Sequence, residues 1–389
     1  MALNNLIPNI ESLIALPSVS SAHAALDQSN RAVIDLLAGW FAELGFRIEI
    51  MDIPGRPGRA NLIATLGRGD NALVLAGHTD TVPWDEGQWT QDPFTLKQAD
   101  DRLYGLGTAD MKGFFALIIE AIRDLDAKDL KQPLVILATA DEETSMSGAK
   151  ALVSSGRKLG RHAIIGEPTG LRPVRMHKGI MMQAIHLLGQ SGHSSNPALG
   201  NNALEGMHKV ISNLIEWRDQ LGREHRDDAF EVPTPTLNLG YIHGGDNPNR
   251  ICAHCEMQVD LRPLPGMDLG SLREQMGARV RDAVDGSGLG VELKSLFDGA
   301  PAMETPAQAA IVAATERLTG HAAEAVAFGT EGPFLNALGM DTVILGPGDI
   351  NQAHQPDEYL GLERLNPMVE LLRQLIREFC IDSPPENGA

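Results

Sequence analysis

Four short runs of β-favouring residues, ALVLAG (72–77), LVILATA (134–140), AIIG (163–166) and TVILG (342–346), punctuate the chain with helical stretches between them. Runs this uniformly apolar suit strands buried on both faces, and their alternation with helices predicts a parallel α/β sheet. After Asp110, the residues Phe114, Leu117, Ile118, Ala121, Ile122 and Leu125 recur at steps of three and four. That spacing predicts a helix with one buried face. From about 180 to 293 the pattern changes to strand (MMQAIHLL), long amphipathic helix (202–221), two strands (TLNLGYI and ICAHCEMQVDLR), helix (268–284) and strand (GVELKSLF). The order βαββαβ predicts a ferredoxin-like unit. Because α/β alternation resumes afterwards, residues 1–178 and 294–389 are expected to form one α/β domain, with 179–293 inserted into it. The charged stretch GREHRDDAFEVP (222–233) reads as a loop, and the tail SPPENGA (383–389) is expected to fray.

Composition narrows the field. The 389 residues suffice for two or three domains. Lys and Arg number 32 against 51 Asp and Glu, and only 4% of residues are aromatic. That balance disfavours both phosphate-backbone binding and base stacking, so nucleic acid is not expected as a partner. No apolar run reaches membrane-spanning length, so no membrane partner is expected either. The stretch MALNNLIPNIESLIAL lacks the basic start of a secretory signal, its first positive charge being Arg31. A cytoplasmic location follows as the expectation. Cys252 and Cys255 form a C-x-x-C, but the alternation of Ile251, Ala253, Cys255, Met257, Val259 and Leu261 predicts a strand with its two thiols on opposite faces. A metal or redox pair there is disfavoured.

The chemistry lies where the strands end. His78 and Asp80 follow ALVLAG; Asp141, Glu142 and Glu143 follow LVILATA; Glu167 follows AIIG; His354 comes shortly after TVILGPG. The C-terminal edge of an open α/β sheet is where ligands bind. One such side chain is more often a solvated loop residue, whereas several converging on one edge point to a site. Packed carboxylates resist ionisation unless cations sit among them. Two divalent cations would balance Asp110, Glu143, Glu167 and one hydroxide, and imidazole with carboxylate oxygen suits zinc, cobalt or manganese being able to fill the same shell. His78 and Asp80 are two apart at an extended strand end and face the same way, so Asp80 can hold one ring N–H while the other nitrogen binds metal. Adjacent Glu142 and Glu143 point in different directions, which suggests one ligand and one base and leaves open which is which. Two other motifs fail. Asp110 replaces the third glycine of a dinucleotide fingerprint after Gly105 and Gly107, and His193 replaces the last glycine of a serine-nucleophile elbow in GQSGHSS.

The segments LAGHTDTVPWDEGQW, LYGLGTADMKGFFA, ILATADEETSMSGA, AIIGEPTGLRPVRMHKG, GQSGHSSNPALG, GGDNPNRICAHCEMQVDLRPLPG and LGPGDINQAHQPDEYL resemble those of the M20-type di-zinc aminoacylases and peptidases. The likeness runs from about Leu6 to Cys380. It implies a di-zinc exopeptidase-like catalytic domain with an inserted ferredoxin-like domain serving as lid and dimerisation surface, and so a homodimer. It implies deacylation of a small N-acyl amino acid with two divalent ions, zinc or cobalt. His78 and Glu167 would hold one metal, Glu143 and His354 the other, and Asp110 would bridge. By the same likeness Glu142 is the base, Asp80 supports His78, and His193 reaches the neighbouring subunit's site to polarise the scissile carbonyl. Lys178, Asn249, Arg262 and Thr330 would surround the substrate's carboxylate, although Arg262 also shares a strand face with Glu256 and Asp260 and could be a surface ion pair. The same centre would serve a succinyl-diaminopimelate desuccinylase or a small aminopeptidase, so the metal ligands alone do not choose the substrate.

Overall fold

The four predicted strands form, at Leu73–His78, Leu134–Thr139, His162–Ile165 and Asp341–Ile344, the centre of a sheet in a computed structural model that describes residues 6–85 and 87–382. The tail SPPENGA lies outside the described residues. All four strands are parallel, in the order 134–139, 73–78, 162–165, 341–344. Their C-terminal ends therefore share one edge. The sheet is mixed rather than parallel throughout, because Arg47–Asp52 and Ala60–Leu66 extend it with antiparallel pairings. Strand Ala60–Leu66 is paired on both sides and nearly wholly buried, which explains why it shows no polar alternation.

Helix Gly113–Ile122 departs from the expected single buried face. Phe115, Ala116 and Ile119 are buried as well as Phe114, Leu117, Ile118 and Ile122. The reason is layering: the helix packs against strand Leu73–His78 and also against helices Leu6–Ile14 and Leu365–Ile376. A helix covered on both sides is apolar nearly all round. Its approach to the sheet is close enough that a Cβ on Gly166 would stand 2.2 Å from the Phe114 ring.

Contacts divide the chain into two units, Met1–Arg175 with Thr305–Glu324 and Thr330–Ala389, and Met176–Glu304 with Ala325–Gly329. In the second, strands Thr236–Gly244, His254–Arg262, Ile180–Leu188 and Gly290–Ala300 lie in that order, every pairing antiparallel. With helices Ala203–Glu224 and Leu269–Ala283 this is the ferredoxin-like arrangement. Asn202 caps the first helix by accepting the Leu204 N–H, and Asp268 caps the second by accepting that of Ser271. The first helix runs three residues into the stretch expected to be loop, ending at Glu224.

The C-x-x-C also differs from expectation. The strand begins at His254, so Cys252 precedes it, and both thiols enter one apolar core with Met257, Val259 and Trp217. Burial pushes the Cys255 thiol up to about 11, which keeps it protonated and unreactive.

Candidate metal centre

Five of the predicted side chains meet at the strand-end edge of the first unit. His78 closes its strand almost fully buried, with Nε2 3.1 Å from Asp110 Oδ1 and 3.6 Å from Glu167 Oε1. His354, two hundred and seventy-six positions further along the chain, sets its Nε2 3.0 Å from Glu143 Oε2 and 3.5 Å from Asp110 Oδ2. Asp110 therefore offers one oxygen to each imidazole. Ligand atoms of His78, Asp110 and Glu143 lie within 4.8 Å of one another, as do those of His78, Glu142 and Glu167.

The electrostatics describe a site short of positive charge. Burial, reinforced by Glu167, Glu143 and Asp80, pushes the Glu142 carboxyl well above the usual carboxylate range. Burial and the neighbouring Asp110 do the same to Glu167. Hydrogen bonds to Asp110 and Glu143 lift His354 to about 11. Burial opposes charge on Asp110, yet the bonds from His354 and His78 hold it below its ordinary value. Oxygen and imidazole donors without thiolate, so crowded that protons must stand in for cations, fit hard or borderline divalent metals.

Two neighbouring acids are placed differently from expectation. The hydrogen bond to His78 Nδ1 runs to the backbone carbonyl of Asp80, at 2.9 Å, while the Asp80 carboxylate is 3.8 Å away. That carboxylate instead accepts the N–H groups of Glu142 and Glu143, at 3.2 and 3.1 Å. Asp80 thus orients the two glutamates through their backbone. Asp141 turns away from the edge: in the left-handed region at φ 59°, it buries its carboxylate against Arg56 (2.9 Å), Arg59 (2.8 Å) and Ser147 (2.7 Å). Aspartate tolerates that conformation better than most residues. The bend it makes sends Glu142 and Glu143 back toward Asp80.

The four residues expected around the substrate's carboxylate are dispersed over the two units. Thr330 precedes helix Gly332–Ala337 in the first, its hydroxyl accepting the Gly332 N–H at 3.0 Å. In the second, Lys178 is buried and donates to the Thr234 carbonyl at 2.7 Å, and Arg262 pairs with Asp260 at 2.9 Å. Asn249 lies beside the His193 loop, its carbonyl accepting the Ser194 N–H at 3.0 Å. His193 is exposed, and its Nδ1 accepts the Ser195 N–H at 3.2 Å. A neutral ring so held carries its proton on Nε2, which leaves that nitrogen as a donor.

Three buried charged residues at this edge escaped the sequence reading. Glu358 is 1% exposed and accepts three backbone N–H groups from the Asp110 loop. Lys112, fully buried, is lowered to about 7 by burial and donates to the Leu16 carbonyl. Glu331, raised to about 7 by burial, lies within the field of His78 and Asp80. All three sit near predicted site residues, Lys112 two after Asp110, Glu331 next to Thr330 and Glu358 four after His354, but closeness in sequence does not mark a buried charge.

The model of peptidase family M20/M25/M40 matches residues 74–378. The chain belongs to that family. It is 51% identical over 380 residues to the acetylornithine deacetylase of Klebsiella pneumoniae (strain 342), covering 97% of this chain and 99% of the relative. It is equally identical over 379 residues to the protein of the same name from Edwardsiella ictaluri (strain 93-146), covering 97% and 98%. Among solved structures, aminopeptidase PepT of Bacillus cereus shares the fold at a TM-score of 0.76 and 21% identity, covering 97% of this chain and 99% of that one. The YXEP protein of Bacillus subtilis, described as a dinuclear metal-binding peptidase, does so at 0.68 and 17%, with 97% and 99% covered. No helix among the described residues is long and apolar enough to cross a membrane.

Proposed function

We propose that this chain is an acetylornithine deacetylase, a metal-dependent amidohydrolase that converts N2-acetyl-L-ornithine and water to L-ornithine and acetate. The observation that carries the chemistry is Asp110 standing between His78 with Glu167 on one side and His354 with Glu143 on the other. Identity of 51% over nearly the whole length to proteins of that name supports the substrate.

His78 and Glu167 would hold one divalent ion, His354 and Glu143 the other, and Asp110 both. Zinc is the first candidate and cobalt the second. When bound, such ions supply Lewis acidity and bring the pKa of water from 15.7 to about 7. Glu142 is the base: it takes the proton of the attacking water and delivers it to the departing amine nitrogen. Burial and the neighbouring Glu167 push the Glu142 carboxyl above the usual carboxylate range, the direction that favours accepting a proton. Asp80 keeps Glu142 aimed by gripping its backbone N–H. His193 donates its Nε2–H to the carbonyl oxygen as negative charge develops there.

A substrate panel tests the reading. With two equivalents of Zn2+ or Co2+ per chain, acetate release from N2-acetyl-L-ornithine should exceed that from N-succinyl-diaminopimelate or from dipeptides. Preference for either of the others would move the chain elsewhere in its family, and no hydrolysis at all would make it a metal-holding protein without chemistry.

We further propose that the inserted unit forms a homodimer and that His193 serves the neighbouring subunit's site. His193→Ala should keep both metals and lose about 10²–10³ in kcat, the usual cost of one oxyanion donor. Mixing His193→Ala with Glu142→Ala chains should restore activity, because each mixed dimer then holds one intact site. Mixtures as inactive as their components would show that His193 acts within its own chain.

A further inference from the structure

Two loops that carry the proposed metal ligands Asp110 and His354 are tied together by one carboxyl group. Glu358 Oε1 accepts the N–H of Ala109 at 2.7 Å, of Asp110 at 3.0 Å and of Gly107 at 3.1 Å, and Oε2 also lies 3.1 Å from the Gly107 N–H. The Glu358 carbonyl accepts a fourth N–H, from Gly105 at 3.0 Å. Beyond it, Tyr359 pairs antiparallel with Tyr104. The stretch Glu358–Gly361, which begins four residues after His354, is therefore stitched to the segment that leads into Asp110. Successive N–H groups curled around one oxygen form a nest, and here the acceptor is a side-chain oxygen of the chain itself. Gly107 makes the curl possible: its φ is 89°, and a Cβ there would stand 2.7 Å from Lys112 Cε. Lys112, buried beneath, lies within the electrostatic field of Glu358 and Asp80.

We infer that Glu358 is a positioning residue, resting on the two-cation reading above: by fixing the Gly107–Asp110 backbone against the His354 segment, it sets the spacing between Asp110 and His354 and so the affinity of the subsite those two share with Glu143. Glu358 need not touch metal or substrate to do this. An acid buried to 1% exposure and satisfied by three amides is committed to shaping the loop. The subsite of His78 and Glu167 depends on it less, because His78 is fixed by its strand and by the Asp80 carbonyl.

The test is stepwise Co2+ and Zn2+ titration of metal-stripped protein, read by calorimetry and by Co2+ absorbance, for wild type, Glu358→Ala, Glu358→Gln and, as a control in the same segment, Asp357→Asn. Circular dichroism checks folding. The expected result is a first equivalent bound as in wild type and a second weakened about 10–100-fold in Glu358→Ala, the range typical of groups that orient ligands. Glu358→Gln retains an acceptor oxygen and should lose less, and Asp357→Asn should match wild type. Unchanged affinity for both equivalents in Glu358→Ala overturns the assignment. So does equal loss of both equivalents together with loss of the folded spectrum in Ala and Gln alike, which would make Glu358 a general support of the fold. Wild type that binds no second equivalent would instead overturn the two-cation reading itself.

Discussion

Glu142→Ala is expected to bind two metal ions as wild type does while turnover falls by at least about 10²–10⁴-fold, the contribution of a positioned general base and acid. The expectation separates two adjacent glutamates that spacing could not tell apart. Glu143 lies 3.0 Å from His354, whereas the Glu142 carboxylate, within 4.8 Å of His78 and Glu167, forms no ion pair with either histidine among the described residues. Removing Glu143 should therefore cost metal, and removing Glu142 should cost only proton transfer. Glu142→Gln sharpens the contrast, since it keeps volume and polarity but cannot accept the proton. Metal analysis beside single-turnover acetate release reads both quantities on one sample. Retained turnover in Glu142→Ala would remove it from the reaction, and loss of an ion would make it a ligand.

The candidate centre was legible in the sequence to the extent that strands announce themselves. Runs such as LVILA (134–138) are apolar at every position because the strand is buried on both faces, and acids or histidines shortly after them mark the sheet edge. What spacing could not convey was direction at the turns. Asp141 sits in the same row of acids as Glu142 and Glu143, yet a left-handed backbone and two arginines draw it inward. Asp80 was expected to hold His78 with its side chain, but the strand end places its carbonyl nearer and frees the carboxylate for two amides. Tertiary layering was equally invisible: Phe115 and Ile119 are buried because helices Leu6–Ile14 and Leu365–Ile376, distant in the chain, close over the outer face. Glu358 lies in the polar run HQPDEY, where nothing in composition distinguishes a buried acid from a solvated one.

The second large effect concerns Asp110. Its two oxygens lie 3.1 Å from His78 and 3.5 Å from His354, so a single substitution removes a ligand from both subsites. Asp110→Ala is expected to bind at most one ion, weakly, and to show no measurable deacetylation. Asp110→Asn separates charge from shape. Its side-chain oxygen can still face one imidazole, but the amide nitrogen opposite has no lone pair for a cation. It should therefore keep one subsite and lose the other. Thermal unfolding provides a readout independent of turnover. A ligand at about 100 times its dissociation constant stabilises the folded state by about 2.7 kcal/mol, so wild type should gain melting temperature with each equivalent of Zn2+. Asp110→Asn should gain from one equivalent and Asp110→Ala from almost none. Without added metal both substitutions should lower the melting temperature, because the bonds from His354 and His78 hold Asp110 below its ordinary value and its charge therefore stabilises the fold. If Asp110→Ala gained as much melting temperature as wild type from two equivalents of Zn2+, the ions would have to be held elsewhere, and Asp110 would be an ordinary partner of two histidines.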